Sequence, residues 1–259
     1  MIKFFPIILA IFSLNFSWAF TLNNNMKLAF AQNNVAIHWA RGLCTNLNMS
    51  DDELLSLIDD AVIYWNKSPT SRLKLTKGDL LSVSGNYATD LLCLTGTNCD
   101  ANPNLSVDHE ILISCNTNNN NFHTPSNLAT TLPNHYSGNT IIGSLILIND
   151  ISNNLFKNFN RDEKVAVIAH EIGHAIGLGH STVQDSLMYY SLIPNRRSLG
   201  QDDIDGITYL YPKSQPLSCG TITEVTKKGP PNEMLLGLFI GIFLSFLFTR
   251  IQMINIRIK

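Results

Sequence analysis

Apolar and polar positions alternate along this chain with two periods, and each marks a set of elements. Val35 to Trp39 is a short apolar run fit for a strand, and Leu73 to Leu75, Val107 to Ser114 and Ile141 to Asn149 read as strands by length and β-branched content. Ser50-Asp51-Asp52-Glu53 has the form of a capping box. Leu54, Leu57, Ile58, Ala61, Val62 and Trp65 follow it at helical spacing as far as Pro69, which predicts an amphipathic helix with one buried face. Asn160, with Glu163 three residues on, opens a second helix carrying Val165, Ile168, Ala169, Ile172 and Ile176 on one side and His170 and His174 on the other. Ser198 with Gln201 is expected to cap a third helix, whose stripe of Ile204, Ile207, Leu210 and Tyr211 ends at Pro212. The Asn118 to Asn121 run is a solvated loop, and no internal repeat is visible. Strands first and helices afterwards point to an α+β arrangement.

The two most apolar stretches lie outside this pattern, at the termini. Lys3 precedes an apolar run from Phe4 to Phe16, and Ser17-Trp18-Ala19 follows with small residues at the first and third positions. That is the form of a secretory signal peptide cleaved after Ala19; a dozen apolar residues are too few to span a bilayer. Met234 to Thr249 carries no charge and is flanked by Lys227-Lys228 before it and Arg250, Arg257 and Lys259 after it. It reads as a short transmembrane anchor with a cytoplasmic C-terminus. Cys219-Gly220, the polar spacer, the apolar helix and the basic tail also resemble tripartite bacterial sorting signals, in which the helix is removed. The expected division is a signal peptide at 1–19, an N-terminal segment at 20–34, one domain at 35–213, a linker at 214–232, an anchor or sorting helix at 233–250 and a basic tail at 251–259. The domain is then exported, either held at the cell surface by the C-terminal helix or secreted if that helix is removed.

Composition narrows the function classes. The 259 residues are 45% hydrophobic and only 15% charged, against roughly 25% charged in ordinary soluble domains, which argues against broad disorder and coiled coil. A net charge of -2 supplies no basic field for nucleic acid, and none is expected as a partner. Five cysteines, at 44, 93, 99, 115 and 219, would enter an oxidising compartment, where disulfides persist. Cys93 and Cys99 are close enough to close a small loop, leaving Cys44 with Cys115. The four upstream cysteines permit three pairings, and the sequence leaves all of them open.

The chemistry is concentrated in His170-Glu171-Ile172-Gly173-His174-Ala175-Ile176-Gly177-Leu178-Gly179-His180. At about 100° per residue His174 lies only about 40° from His170 and one turn above it, so both imidazoles can point at one metal ion. Glu171 sits on the flank of both, where it reaches a water more easily than the metal, as a general base requires. Gly177 can take the positive φ of a helix C-terminus and turn the chain so that His180 returns as a third nitrogen ligand. Three neutral ligands leave a tetrahedral zinc one open position, which is the arrangement of a catalytic site. His38, His109, His123 and His135 are scattered and are assigned to no metal.

These residues resemble the metzincin metallopeptidases, and within them the matrixins. Ser181 after the third histidine and Met188 within Ser186-Leu187-Met188-Tyr189 resemble the matrixin Met-turn. Gln201-Asp202-Asp203-Ile204-Asp205-Gly206-Ile207, running on to Leu210-Tyr211, resembles the C-terminal helix. Leu128-Ala129-Thr130-Thr131-Leu132-Pro133 is similar to the edge strand along which substrate lies. The resemblance implies a mixed twisted sheet with an active-site helix and a C-terminal helix. It also implies an apolar floor formed by Met188, substrate contacts at Leu128, Ala129, Thr130, Thr131 and Leu132, and a tie from Asp202 or Asp203 to the Met-turn or the mature N-terminus. Thr130 stands where vertebrate matrixins place a structural-zinc histidine, so no second zinc is expected. No cysteine-switch propeptide is visible. Thr182-Val183-Gln184-Asp185 and Tyr190 depart from the family's turn and put the shape of the specificity pocket in question.

The sequence thus predicts a zinc endopeptidase acting on protein or peptide substrates, a monomer with one catalytic zinc; a calcium requirement does not follow from these residues. Two rivals are the same zinc chemistry on another amide, such as a cell-wall peptide, and a surface adhesin or binding module that keeps zinc without hydrolysis.

Overall fold

A computed structural model of the chain describes residues 20–94, 99–122, 124–191 and 196–213, all within a structural unit spanning residues 1–215. The expected signal peptide, linker, anchor and basic tail, along with Cys219 and His123, lie outside the described residues. Among the described residues no helix is long and apolar enough to cross a membrane.

Among the described residues six strands form one mixed sheet: β1 (Ala29–Phe30), β2 (Asn34–Ala40), β3 (Lys74–Leu81), β4 (Glu110–Asn116), β5 (Ala129–Ser137) and β6 (Thr140–Asn149). The order is β1-β6-β4-β2-β3, with β5 antiparallel to β6. Four of the five pairings are parallel, so the α+β expectation needs correcting toward an α/β arrangement. Helix α1 (Asp51–Asn66) makes the crossover between the parallel neighbours β2 and β3. A connection that long is what parallel pairing requires, and it cannot be read from either strand alone.

Burial explains the strand compositions. Ile111, Ile113 and Cys115 of β4 and Ile141, Ile146 and Ile148 of β6 join the core under the helices. Leu112, Leu145 and Leu147 face a second core on the other side, with Leu92, Leu105, Phe122 and Leu132. Strands covered on both faces read as continuous apolar runs. By contrast β3, which among the described residues pairs with β2 alone, buries Leu75 and leaves Lys74, Thr76 and Lys77 exposed.

Two strand boundaries differ from the sequence expectation. The expected Leu73 to Leu75 covers only the start of an eight-residue strand, Lys74–Leu81, which pairs with β2 as far as Ala40↔Leu81; the Asn66 side-chain amide, which donates to the Leu75 carbonyl and accepts from the Leu75 N–H, holds the start of that strand to the end of α1. At the other strand Val107 to His109 stays outside the ladder. The Val107 carbonyl lies over Gly143 of β6, where a Cβ would come within 1.8 Å of it, and the chain turns at Glu110 (φ 61°) before pairing begins.

The helices α1, α3 (Arg161–Ala175) and α4 (Gln201–Leu210) pack on the main core; α2 (Asn86–Thr89) is a single turn. Ser50 and Glu53 form the expected capping box, and the buried face of α1 is Leu54, Leu57, Ile58, Ala61, Val62 and Trp65. Asn160 and Glu163 cap α3 in the same way. Trp65 is 1% exposed and its indole N–H donates to the Ala169 carbonyl at 2.8 Å. Burying a ring of that size contributes roughly 2–3 kcal/mol, and the bond fixes α1 against the helix that carries the histidines. The cap of α4 is not Ser198: the N-cap is Gly200, whose N–H donates to the Asp203 carboxylate. Ile204 is only half-buried, and Asp203 and Gly206 join Ile207 and Leu210 on the buried face.

Residues 20–34, set apart in the sequence as a separate segment, pack into this same body. The Phe20 ring lies 5.4 Å from that of Tyr209, and Leu28 and Phe30 are buried in the main core. The phenol of Tyr211 takes the Phe30 N–H and donates to the Ile176 carbonyl, joining β1 to the end of α3. Disulfides link Cys44 with Cys115 and Cys93 with Cys99, one of the three pairings the sequence allowed.

Candidate active site

Helix α3 is buried almost all round; from Lys164 to Ala175 its half-buried positions are His170 and His174. The helix ends in a Schellman turn: Leu178 N–H donates to the Gly173 carbonyl, Gly177 N–H to the His174 carbonyl, and Gly177 takes φ 106°. A Cβ at Gly177 would also meet the Leu28 carbonyl at 2.2 Å. The reversal brings His180 back beside the helix. Ring centroids of His170, His174 and His180 are 4.9, 5.4 and 4.6 Å apart, and one nitrogen of each lies within 4.8 Å of the others.

The orientation of two rings is set by main chain. Nδ1 of His170 donates to the Leu187 carbonyl at 2.7 Å, and Nδ1 of His174 donates to the Leu178 carbonyl at 2.8 Å; only an N–H can pair with a carbonyl. In the neutral rings this leaves Nε2 as a lone pair facing the common centre. Nε2 of His174 stands 3.2 Å from Nε2 of His180, a crowding of nitrogens that a shared cation resolves. The donor set, three imidazoles with carbonyl-fixed rings, fits zinc. Burial, then the neighbouring charges of His170 and His180, hold His174 well below the usual imidazole range, and burial with the His170 charge lowers His180. Both therefore favour the neutral form a metal ligand needs.

Glu171, 8% exposed, lies beside the triad. The Thr131 hydroxyl on β5 donates to its Oε2 at 2.5 Å. Burial pushes its carboxyl above the usual glutamate value, opposed by the His170 charge and the Thr131 bond. Glu171, His174 and His180 share a cleft of about 340 Å³ with Ala129, Thr130 and Thr131, and with Thr21, Leu22, Asn23 and Gly179. Of the five residues expected to contact substrate, Ala129, Thr130 and Thr131 line this cleft. Leu128 packs against the main core, and Leu132 is buried in the second one.

Met188 is 2% exposed and lies against α3 at Gly173. A Cβ at Gly173 would fall 2.2 Å from its sulfur and 2.7 Å from the Trp65 ring. The turn that holds Met188 is pinned by Asp203. Its carboxylate, 1% exposed, accepts from the Ser186 hydroxyl and from the N–H groups of Leu187, Met188 and Gly200. Asp203 thus ties α4 to the turn, one of the two connections the resemblance implied for the acidic pair; Asp202 makes no hydrogen bond of that kind among the described residues.

His38 and His135 lie away from the triad, against Glu110 and Asp108. Sequence reasoning missed Thr21 and Asn23, whose side chains donate to the His180 and His174 carbonyls; the acceptors are main-chain atoms more than 150 residues away, so no local pattern of residue types marks the contacts.

Residues 100–212 match the peptidase M10 family model, Matrixin. The chain is 53% identical over 51 residues to Metalloendoproteinase 2-MMP of Arabidopsis thaliana, covering 19% of this chain and 13% of that protein. It is 56% identical over 48 residues to Matrix metalloproteinase-27 of Tupaia belangeri, covering 17% and 9%. It is 57% identical over 51 residues to Metalloendoproteinase 1 of Glycine max, covering 19% and 16%. The likeness therefore spans less than a fifth of each of these relatives.

Proposed function

With a matrixin-like metzincin catalytic domain as its premise, we propose that this chain is a zinc endopeptidase that hydrolyses peptide bonds in exported or surface proteins. The observation that carries the reading is the convergence of three imidazoles on one point, two of them sharing with a buried carboxylate a cleft walled by β5, a strand that among the described residues pairs on one side alone. His170, His174 and His180 hold the ion. Zinc bound there supplies a Lewis acid for the scissile carbonyl and lowers the pKa of a water toward about 7.

Glu171 takes a proton from the attacking water and delivers it to the leaving amine. The Thr131 bond fixes one carboxylate oxygen, leaving the other for that proton. The substrate lies extended along β5, whose partner among the described residues is β6 alone. Main-chain bonds to Ala129 and Thr131, the alternate residues turned away from β6, supply affinity as an added strand does. The two disulfides support an oxidising, exported setting, and the charge-free segment at 234–249 supports attachment to a membrane from the C-terminal side.

The test is Glu171→Gln. It is expected to keep one zinc per chain and an unchanged thermal transition while losing hydrolysis of a peptide library, and a chelator is expected to remove the wild-type activity reversibly. A wild type with one zinc that cleaves no peptide would turn the reading toward a binding module.

A further inference from the structure

The third histidine is held differently from the other two. His170 and His174 are oriented by ring bonds to carbonyls, whereas among the described residues the His180 ring makes no such bond to main chain. Its position depends on its backbone, which is gripped from two sides. On one side Ser181 N–H donates to the Met188 carbonyl at 2.7 Å. On the other the N-terminal segment crosses the loop as a short antiparallel bridge, Leu22 to Leu178.

The segment touches this loop at successive points. Asn23 N–H donates to the Gly177 carbonyl at 2.9 Å, and Gly179 N–H to the Thr21 carbonyl at 2.8 Å. The Thr21 hydroxyl donates to the His180 carbonyl at 2.5 Å, and the Asn23 side-chain amide donates to the His174 carbonyl at 3.2 Å. An independent observation agrees: Gly179 has no room for a side chain, since a Cβ there would meet Thr21 Oγ1 at 2.3 Å and the Leu22 carbonyl at 2.8 Å. The close seating is built into both partners.

We propose that Thr21, with Leu22 and Asn23, is a positioning strap for the third metal ligand, so that residues upstream of the sheet set the affinity of the zinc site. Thr21 touches no ligand atom; it acts through the His180 carbonyl. The inference rests on the zinc-site reading above, and the experiment separates the two.

Zinc dissociation constants are measured for the full chain by competition with a chromophoric chelator, alongside thermal unfolding of the metal-free protein. Thr21→Val keeps the shape of the side chain and removes the donor. Loss of an outer contact to a metal ligand costs roughly 10- to 100-fold in affinity, so about a 10-fold weakening is expected. The metal-free melting temperature should stay within about 2 °C, since Thr21 is exposed. Thr21→Ser restores the hydroxyl and should restore affinity. Gly179→Ala, which pushes the strap away from the loop side, should weaken zinc by a similar factor.

Zinc bound within twofold by wild type and Thr21→Val overturns the strap alone, as does a Thr21→Ser variant as weak as Thr21→Val. A wild type that takes up no zinc overturns the zinc-site reading and the strap with it.

Discussion

Replacing Asp203 tests how the floor of the site is held. Its two oxygens have different clients: Oδ1 accepts from the Ser186 hydroxyl and Met188 N–H, Oδ2 from Leu187 N–H and Gly200 N–H. In Asp203→Ala the Met188 N–H keeps the Ser186 hydroxyl at 3.0 Å, but Leu187 and Gly200 lose their acceptor. Two stranded backbone donors at about 1–3 kcal/mol each, less the relief of no longer burying a carboxylate, give an expected loss of about 3–4 kcal/mol. Asp203→Asn should be milder. With its oxygen turned to the Oδ2 side it still serves Leu187 and Gly200, and its NH2 can donate to Ser186, so about 1–2 kcal/mol is expected for the lost charge assistance. Urea unfolding of the metal-free full chain, followed by fluorescence of the buried Trp39 and Trp65, measures both. Because the Leu187 carbonyl orients His170, zinc affinity should fall in the same order. An alanine loss below about 1 kcal/mol, or an asparagine variant as unstable as alanine, would refute the assignment of the oxygens.

Gly173→Ala should destabilise by about 2–3 kcal/mol although alanine is the better helix former, because its methyl must displace the Met188 sulfur and the Trp65 ring; an unchanged urea midpoint would show that the floor yields freely. Tyr211→Phe strands the Phe30 N–H and the Ile176 carbonyl and should cost about 2 kcal/mol, read in the same assay. Replacing Cys44 and Cys115 by alanine opens a loop with a sequence separation of 71 and should cost about 4 kcal/mol. The same change at Cys93 and Cys99, separated by 6, should cost about 2 kcal/mol; equal losses would argue against loop entropy as the cause.

What the sequence discloses about this site follows from how each part is held. The three histidines and Glu171 fall within eleven consecutive residues because one helix and its Schellman turn suffice to present them; a local solution leaves a local pattern. The capping residues Ser50, Glu53, Asn160 and Glu163 are legible for the same reason. Ser198 misleads as a cap because the acceptor for the start of α4 is the buried Asp203, whose clients lie up to 17 residues back. The sheet is legible as strands but not as a mainly parallel order, since a strand's own residues carry no mark of which neighbour it takes.

Several supports of the site are long-range, and most of them end on a main-chain carbonyl. Thr131 reaches Glu171 across 40 residues and Thr21 reaches His180 across 159. Leu187 and Leu178 orient the histidines through their carbonyls. A carbonyl is offered by every residue type, so selection for those bonds acts on where the backbone lies and scarcely on which side chain it bears. Two glycines record such approaches in the sequence: Gly173, where the helix meets Met188 and Trp65, and Gly179, where the loop meets Thr21 and Leu22. Both stand inside the histidine motif at positions where metal ligation requires no particular residue. Their presence reports the floor beneath the site and the strap above its last ligand, and substitutions there test that support without altering a ligand.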